Sequence, residues 1–458
     1  MMKRSSFSFI LLALLLCVAL NGCKKQEPVS VQVQRLNLPE TWWRVEGLSL
    51  PEEEHIKKLG EVWELPAKWD NRLIDRTADI KNQGSQGTCW AFASLSAIES
   101  LLLPEQETAF SVDHMSMNHG YSMELEEGGN YTMALSYLAG WKGPVYEEDD
   151  PYDDGVTNVD APVQAHLQEA WLLKNDVAAI KEAVLMYGAV QSSLYADKGV
   201  LGEEENTSYY SQKTASYYYD GPVQYNHDVL IIGWDDTYSR EQFATLPPGD
   251  GAFICQNSWG EEFGENGFFY VSYYDTTIAQ NTLVYTRLDA LGVYDRQYQY
   301  DEFGWVGQAG YHEKSAWGAN VFTALGNEAI CAAGFYTTDV ETEYQVYVVL
   351  DPDCNSFDDR ILVAEGKKAY AGYHTIDFEE DIAVTAGQRF AIILYVTAPE
   401  ADMPLAAEFR QEDGAGGTKN VTVGLGESYI SSSGISWQDA GQDLECNLCI
   451  KAFAREEN

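Results

Sequence analysis

The chain has 458 residues, enough for two domains and an export segment. It carries 71 Asp and Glu against 29 Lys and Arg, a net charge of −42. Such a surface repels phosphates, which excludes nucleic acid as a partner class, and it favours the approach of basic peptides.

The N-terminus reads as an export signal. Met1 to Arg4 is basic and Phe7 to Leu20 is almost wholly apolar, too short for a comfortable membrane span. The run ends in Leu20-Asn21-Gly22-Cys23, which resembles a bacterial lipoprotein cleavage site. That resemblance implies removal of residues 1–22, lipidation of Cys23, and a lipid-anchored protein on the cell envelope, facing outside the cytoplasm. A plain secretory signal is the alternative. Residues 23–64, with Pro28, Pro39, Pro51 and the run Glu52 to Glu54, read as a tether with little core of its own.

From 65 to 289 the pattern is that of a globular domain. Gly84 and Gly87 lead straight into Cys89, and the run from Trp90 to Leu103 is apolar or small until Pro104 stops it. This predicts a loop feeding a buried helix whose first turn carries a thiol. Unpaired N–H groups and the positive dipole end at that position favour the thiolate, the form that acts as a nucleophile. Glu147 to Asp154 is strongly acidic but lacks the glycine and terminal glutamate of an EF-hand, so it reads as a solvated loop. Asp176 to Tyr187 has helical periodicity, while the tyrosine-rich run Tyr209 to Tyr219 has no firm reading. Val229 to Trp234, Phe253 to Asn257 and Gly267 to Tyr274 read as strands. His227 precedes the first of these at a spacing that suits a Cys/His pair, and Asn257-Ser258-Trp259-Gly260 lies between the other two. Asp235 to Asp250 reads as a surface insertion.

Gln83, Gly84, Gly87, Cys89, Trp90 and Ala91-Phe92, with His227 and the Asn-Ser-Trp-Gly run, resemble the papain family of cysteine proteases. Leu65 to Arg72 resembles the start of that family's mature domain. The resemblance implies an α+β, two-lobed fold, one lobe helical and one β-rich, with the cleft between. It also implies a mechanism. Cys89 and His227 would form a thiolate–imidazolium pair, and Cys89 would attack a peptide carbonyl to give a thioacyl-enzyme. His227 would act as acid and base. Asn257 would orient the imidazole through an accepted or donated hydrogen bond, and Trp259 would shield that bond. The Gln83 side chain and the Cys89 N–H would hold the oxyanion. No cofactor or metal is implied. Gly128 and Gly129 would let a substrate backbone approach, and Asp228 and Ser193 would line the pocket for the second residue before the scissile bond. Those two make it polar where the family is usually apolar. A buried carboxylate there would want a partner: a substrate Lys or Arg, or a Lys, Arg or backbone amide of the protein itself. Gln86 stands where the family has a disulfide cysteine, so the loop must be held another way.

From about 290 to 458, short runs rich in Val, Ile, Tyr and Phe alternate with turn residues, which predicts an antiparallel β-sandwich. Glu427 to Trp437 resembles the lectin-like domain of bacterial surface proteases, implying a glycan or cell-surface ligand, with the sandwich separable from the peptidase. Among Cys255, Cys331, Cys354, Cys446 and Cys449, core thiols or a single bridge are expected, and Cys446-x-x-Cys449 is not read as a metal site. Two rival functions use the same residues. One is a surface adhesin on a papain-like scaffold. The other is a transpeptidase that passes the acyl group to an amine.

Overall fold

The computed structural model describes residues 32–35, 65–123, 125–173, 175–197, 200, 207–352, 356–411 and 417–456. Cys23, the export signal and Cys354 lie outside the described residues. Helix α1, Cys89–Leu102, is the axis of the first lobe. Every residue from Trp90 to Ser100 is buried. A helix buried all round can be small and apolar on every face, which is what its sequence offers. The one buried charge, Glu99, accepts from Lys81 Nζ at 2.5 Å and from the Phe110 N–H at 2.8 Å. Helix α1 ends where Leu103 turns extended before Pro104. Helices α2, Val112–Asn118, and α3, Tyr131–Ala139, pack beside it. Both begin on a side-chain cap: Ser111 accepts from the His114 N–H, and Asn130 accepts from the N–H groups of Thr132 and Met133.

The second lobe is a twisted antiparallel sheet. Strand Val190–Leu194 pairs with His227–Asp235, setting Ser193 opposite Asp228 and Leu194 opposite His227. Ala252–Gln256 and Phe268–Ser272 continue it. Helix α4, Val177–Tyr187, is capped by Asp176 and packs against these strands. The tyrosine-rich run forms a two-residue hairpin, Tyr210–Ser211 with Ser216–Tyr217, that joins Tyr270–Val271 in parallel.

The C-terminal region is a two-layer β-structure. One layer has six antiparallel strands in the order Ile361–Lys368, Thr342–Leu350, Arg389–Thr397, Ser315–Thr323, Ser428–Ser431, Gln438–Asp439. Phe322, Val346, Ile392 and Leu394 on this layer meet Phe335, Leu405 and Ile450 on the other. Alternating apolar residues on each strand supply this core.

Three features differ from the sequence reading. First, the sheet does not stop at residue 290. Strand Ala165–Leu173 pairs on one side with Thr282–Ala290 and on the other with Ala371–His374 of the C-terminal region. Glu169, buried at this seam, accepts from Lys368 Nζ at 2.8 Å and lies 2.9 Å from His374 Nδ1. Trp171 stacks on Tyr370 at 4.7 Å. The seam forms because the edge of a buried strand must be paired. Second, part of the tether is structured: Gln32–Arg35 pairs with Gly307–Gly310. Third, the acidic run is not simply solvated. Asp150 is buried and accepts from Thr157 Oγ1 and the Asn158 N–H. Asp113, also buried, accepts from the Asp153 N–H.

Candidate active site

Cys89 is the first residue of α1, part-exposed, with Thr88 at the cap position making no side-chain cap of its own. His227 is the first residue of its strand. Both face an open cleft of about 710 Å³ between the lobes, which Gln83, Gly128, Gly129, Ser193, Asp228 and Trp259 also line.

The histidine is held with one tautomer. Asn257 Oδ1 accepts the Ser258 backbone N–H at 2.8 Å, which fixes the amide with its oxygen inward. The same oxygen lies 2.8 Å from His227 Nε2. Nε2 therefore carries a proton, and the basic nitrogen is Nδ1. Trp259 stacks over the imidazole at 4.4 Å and 26°, and Phe263 meets Trp259 edge-on. Asn257 is thus an acceptor, where the sequence left its sense open.

The loop before Cys89 is anchored at both ends. Gln83 N–H donates to the Ser258 carbonyl at 2.8 Å, and Gln83 Oε1 accepts from Ser258 Oγ at 2.7 Å. One N–H of the Gln83 amide donates to the Gln86 carbonyl at 2.8 Å, leaving the other hydrogen for a ligand. The missing disulfide is replaced by backbone contact. Gly87 N–H donates to the Leu125 carbonyl at 2.9 Å, and a Cβ on Gly87 would come within 2.7 Å of the Gly128 nitrogen. Gly129 leaves room for Trp90, since a Cβ there would lie 2.3 Å from the indole nitrogen. The double glycine therefore serves packing of the Cys89 segment as well as the cleft wall.

Asp228 is buried beside Cys89 and, among the described residues, its carboxylate has none of the Lys, Arg or backbone amide partners expected inside the protein. Its Oδ1 accepts from Ser193 Oγ at 2.6 Å and its Oδ2 from Gln191 Nε2 at 2.9 Å. Neutral side chains hold the carboxylate, so no Lys, Arg or backbone amide is needed to satisfy it. Burial raises its pKa to about 6. Burial, and next the Asp228 charge, push the Cys89 thiol up to about 12, while burial pushes His227 down to about 4 against the bond from Asn257. The thiol and the imidazole are each neutral alone in this setting. Passing one proton from sulfur to Nδ1 makes a pair with no net charge, so desolvation opposes it less than it opposes either ion alone.

Among the described residues Cys89, Cys255, Cys331, Cys446 and Cys449 are free, all but Cys89 buried. No cluster there has the makings of a metal site. No helix there is long and apolar enough to cross a membrane. Ser258, Gln191, Thr88 and Tyr152 also serve the site. Ser258 sits inside the Asn-Ser-Trp-Gly motif and was within reach of the sequence; the other three depend on tertiary contacts that no local pattern marks.

Residues 65–286 match the family model for papain family cysteine protease. The chain carries a papain-family cysteine peptidase domain. Residues 297–454 match the model for a lectin-like domain, so the papain-like domain is followed by a lectin-like, β-rich one. Pro-cathepsin H of Mus musculus is 30% identical over 248 residues, covering 50% of this chain and 66% of that protein. Cysteine proteinase 1 of Zea mays is 28% identical over 221 residues, covering 45% of this chain and 56% of that protein. The chain thus spans less than two thirds of the length of these relatives. The structure of the clostridial cysteine protease Cwp84 after propeptide cleavage superposes with a TM-score of 0.74 at 26% identity, over 85% of this chain and 99% of that one. A structure of the cysteine protease and lectin-like domains of Cwp84, a surface layer associated protein of Clostridium difficile, shares the fold with a TM-score of 0.78 at 23% identity, over 93% of this chain and 98% of that one.

Proposed function

We propose that this protein is an extracytoplasmic cysteine endopeptidase. The observation that carries the reading is the fixed tautomer: His227 Nε2 is committed to Asn257 Oδ1, which leaves Nδ1 as the base at the cleft that Cys89 lines. Nδ1 takes the thiol proton, and the thiolate attacks the peptide carbonyl. The tetrahedral oxyanion forms where the free Gln83 N–H and the Cys89 backbone N–H can donate to it. The imidazolium then protonates the leaving amine, and water, deprotonated by Nδ1, releases the acyl group. The polar pocket around Asp228 and Ser193 takes a basic side chain at the second residue before the scissile bond. The C-terminal domain binds a glycan or another cell-surface ligand, and Cys23 carries a lipid anchor. No observation favours the adhesin or transpeptidase readings over hydrolysis.

The test is labelling of the purified chain with an epoxide inhibitor of papain-like enzymes. Stoichiometric adduct at Cys89, with loss of casein cleavage, is expected. Cleavage that persists after full labelling, or in Cys89→Ala, would refute the mechanism. Release of a Cys23→Ser chain from membranes tests the anchor separately.

A further inference from the structure

Tyr152 belongs to the acidic run that the sequence reads as solvated, yet its hydroxyl reaches the catalytic loop. It donates to the Gln83 backbone carbonyl at 2.9 Å. It also lies 2.7 Å from Thr88 Oγ1, whose hydrogen is free to donate to it once the tyrosine's own is spent on Gln83. Thr88 is buried, and its carbonyl accepts the first helical bonds of α1, from Ala91 and Phe92 at 3.0 and 3.1 Å. One hydroxyl therefore ties the residue whose amide serves as oxyanion donor to the residue that sets the N–H of Cys89.

The tyrosine is itself held on three sides. Its ring meets Phe92 of α1 edge-on at 4.8 Å. Its backbone N–H donates to Glu147 Oε1 at 2.9 Å. The next residue, Asp153, donates its N–H to buried Asp113 on α2 at 3.1 Å. Asp150, two residues earlier, is locked by Ser111, Thr157 and Asn158. The acidic run is a bracket whose product is one placed hydroxyl.

We propose that Tyr152 is a positioning residue that holds the two donors of the oxyanion hole in register. The proposal rests on the peptidase reading above. Oxyanion donors act only at the right distance from an oxygen that exists in the transition state. Loss of their alignment lowers kcat and leaves ground-state binding nearly unchanged.

The experiment compares the full chain with Tyr152→Phe, which keeps the ring against Phe92 and removes only the hydroxyl. Active sites are counted by epoxide titration, so activity is expressed per competent Cys89. A fall of roughly three- to tenfold in kcat is expected, the size of one neutral hydrogen bond, with KM within twofold. Affinity for a peptide aldehyde, whose adduct oxygen occupies the same hole, should fall in parallel, while affinity for the matching uncleaved peptide amide should not. Thr88→Val, which removes the other end of the bond, should give the same pattern, and the double variant should lose no more than either single one. Wild-type kcat and aldehyde affinity per labelled site in both variants would overturn the proposal. So would a loss confined to thermal stability. Failure of the wild type to label or turn over would instead strike at the peptidase reading, which keeps the two failures apart.

Discussion

Replacing Asn257 with Ala tests the site at its most determinate point. The amide oxygen is the acceptor for His227 Nε2 at 2.8 Å, in a buried setting under Trp259. When Nδ1 takes the thiol proton, that contact becomes a bond to an imidazolium. Hydrogen bonds to charged groups contribute about 1.5–3 kcal/mol, so kcat/KM should fall roughly 10- to 150-fold. The pH profile should change with a definite sign. The bond from Asn257 raises the His227 pKa against burial. Without it the imidazolium loses its proton at lower pH, and the alkaline limb of kcat/KM moves toward acid by about one unit for each 1.4 kcal/mol lost. Asn257→Asp should move that limb the other way, because a carboxylate favours the cation. The assay is kcat/KM from pH 4 to 10 on a fluorogenic peptide, normalised to labelled sites. An Ala variant within twofold of wild type, with an unmoved alkaline limb, would refute the assigned tautomer and the role of Asn257 together.

Gly129→Ala should destabilise the chain by about 1–3 kcal/mol in thermal melts, because the new Cβ would lie 2.3 Å from the buried Trp90 indole. Gly128→Ala meets nothing closer than 3.8 Å and should cost only the strain of φ +87°, about 1 kcal/mol. Glu169→Gln should lower stability by about 2–3 kcal/mol at pH 7. Burial raises the Glu169 pKa, but His374 and Lys368 outweigh it and hold the carboxyl at about 2. The difference from wild type should therefore be full above the ordinary 4.5, shrink as pH falls, and be nearly gone near pH 2; a difference that is flat with pH would refute it. For Asp228, a peptide library should show preference for Lys or Arg at the second residue before the scissile bond. The preference should weaken below about pH 6, where the carboxylate takes a proton, and vanish in Asp228→Ala; a Leu, Val or Phe preference in wild type refutes it.

The helical segment around Cys89 was legible because its signals are local: glycines before the thiol, an uninterrupted small and apolar run, and a proline stop. The strand that follows His227 was legible from its β-branched run, Val229 to Trp234. The partners of Asp228 were not, because Ser193 and Gln191 reach it through strand register, which the sequence leaves undetermined. Tyr152 was hidden for a different reason. Glu147 to Asp154 carries so much charge that it reads as solvent-facing, and burial of Asp150 depends on N–H and hydroxyl donors from residues up to 39 positions away. The pairing of Ala165–Leu173 across the boundary near residue 290 was not legible, because the change in texture there is real while the sheet runs on. Alternation along a strand shows which face is buried and says nothing about which edge is paired.

That continuity bears directly on truncation. The strand that begins at His227 pairs with Val190–Leu194, which pairs with Thr282–Ala290, which pairs with Ala165–Leu173, which pairs with Ala371–His374. A chain ending at residue 290 keeps all but the last of these links. It exposes the edge of Ala165–Leu173, removes Tyr370 from Trp171, and strips Glu169 of both Lys368 and His374. It also removes the Phe303 carbonyl that accepts from the buried Tyr121 hydroxyl, and the Gly417 carbonyl that accepts from the Ser122 N–H beside the cleft. An unpaired hydrophobic edge invites aggregation, and loss of the Tyr370–Trp171 stack and of the two carbonyl acceptors costs several kcal/mol, against a total stability of about 5–15 kcal/mol. The truncated chain should therefore be insoluble, or soluble only with its epoxide labelling greatly reduced, although every residue of the Cys89–His227–Asn257 group is retained. Adding Trp171→Thr should recover some soluble protein by removing the indole that the cut deprives of Tyr370. A truncated wild-type sequence that is soluble and labels at Cys89 at the full-length rate would show that the seam is dispensable, and that the C-terminal region is attached to the peptidase without being part of its fold.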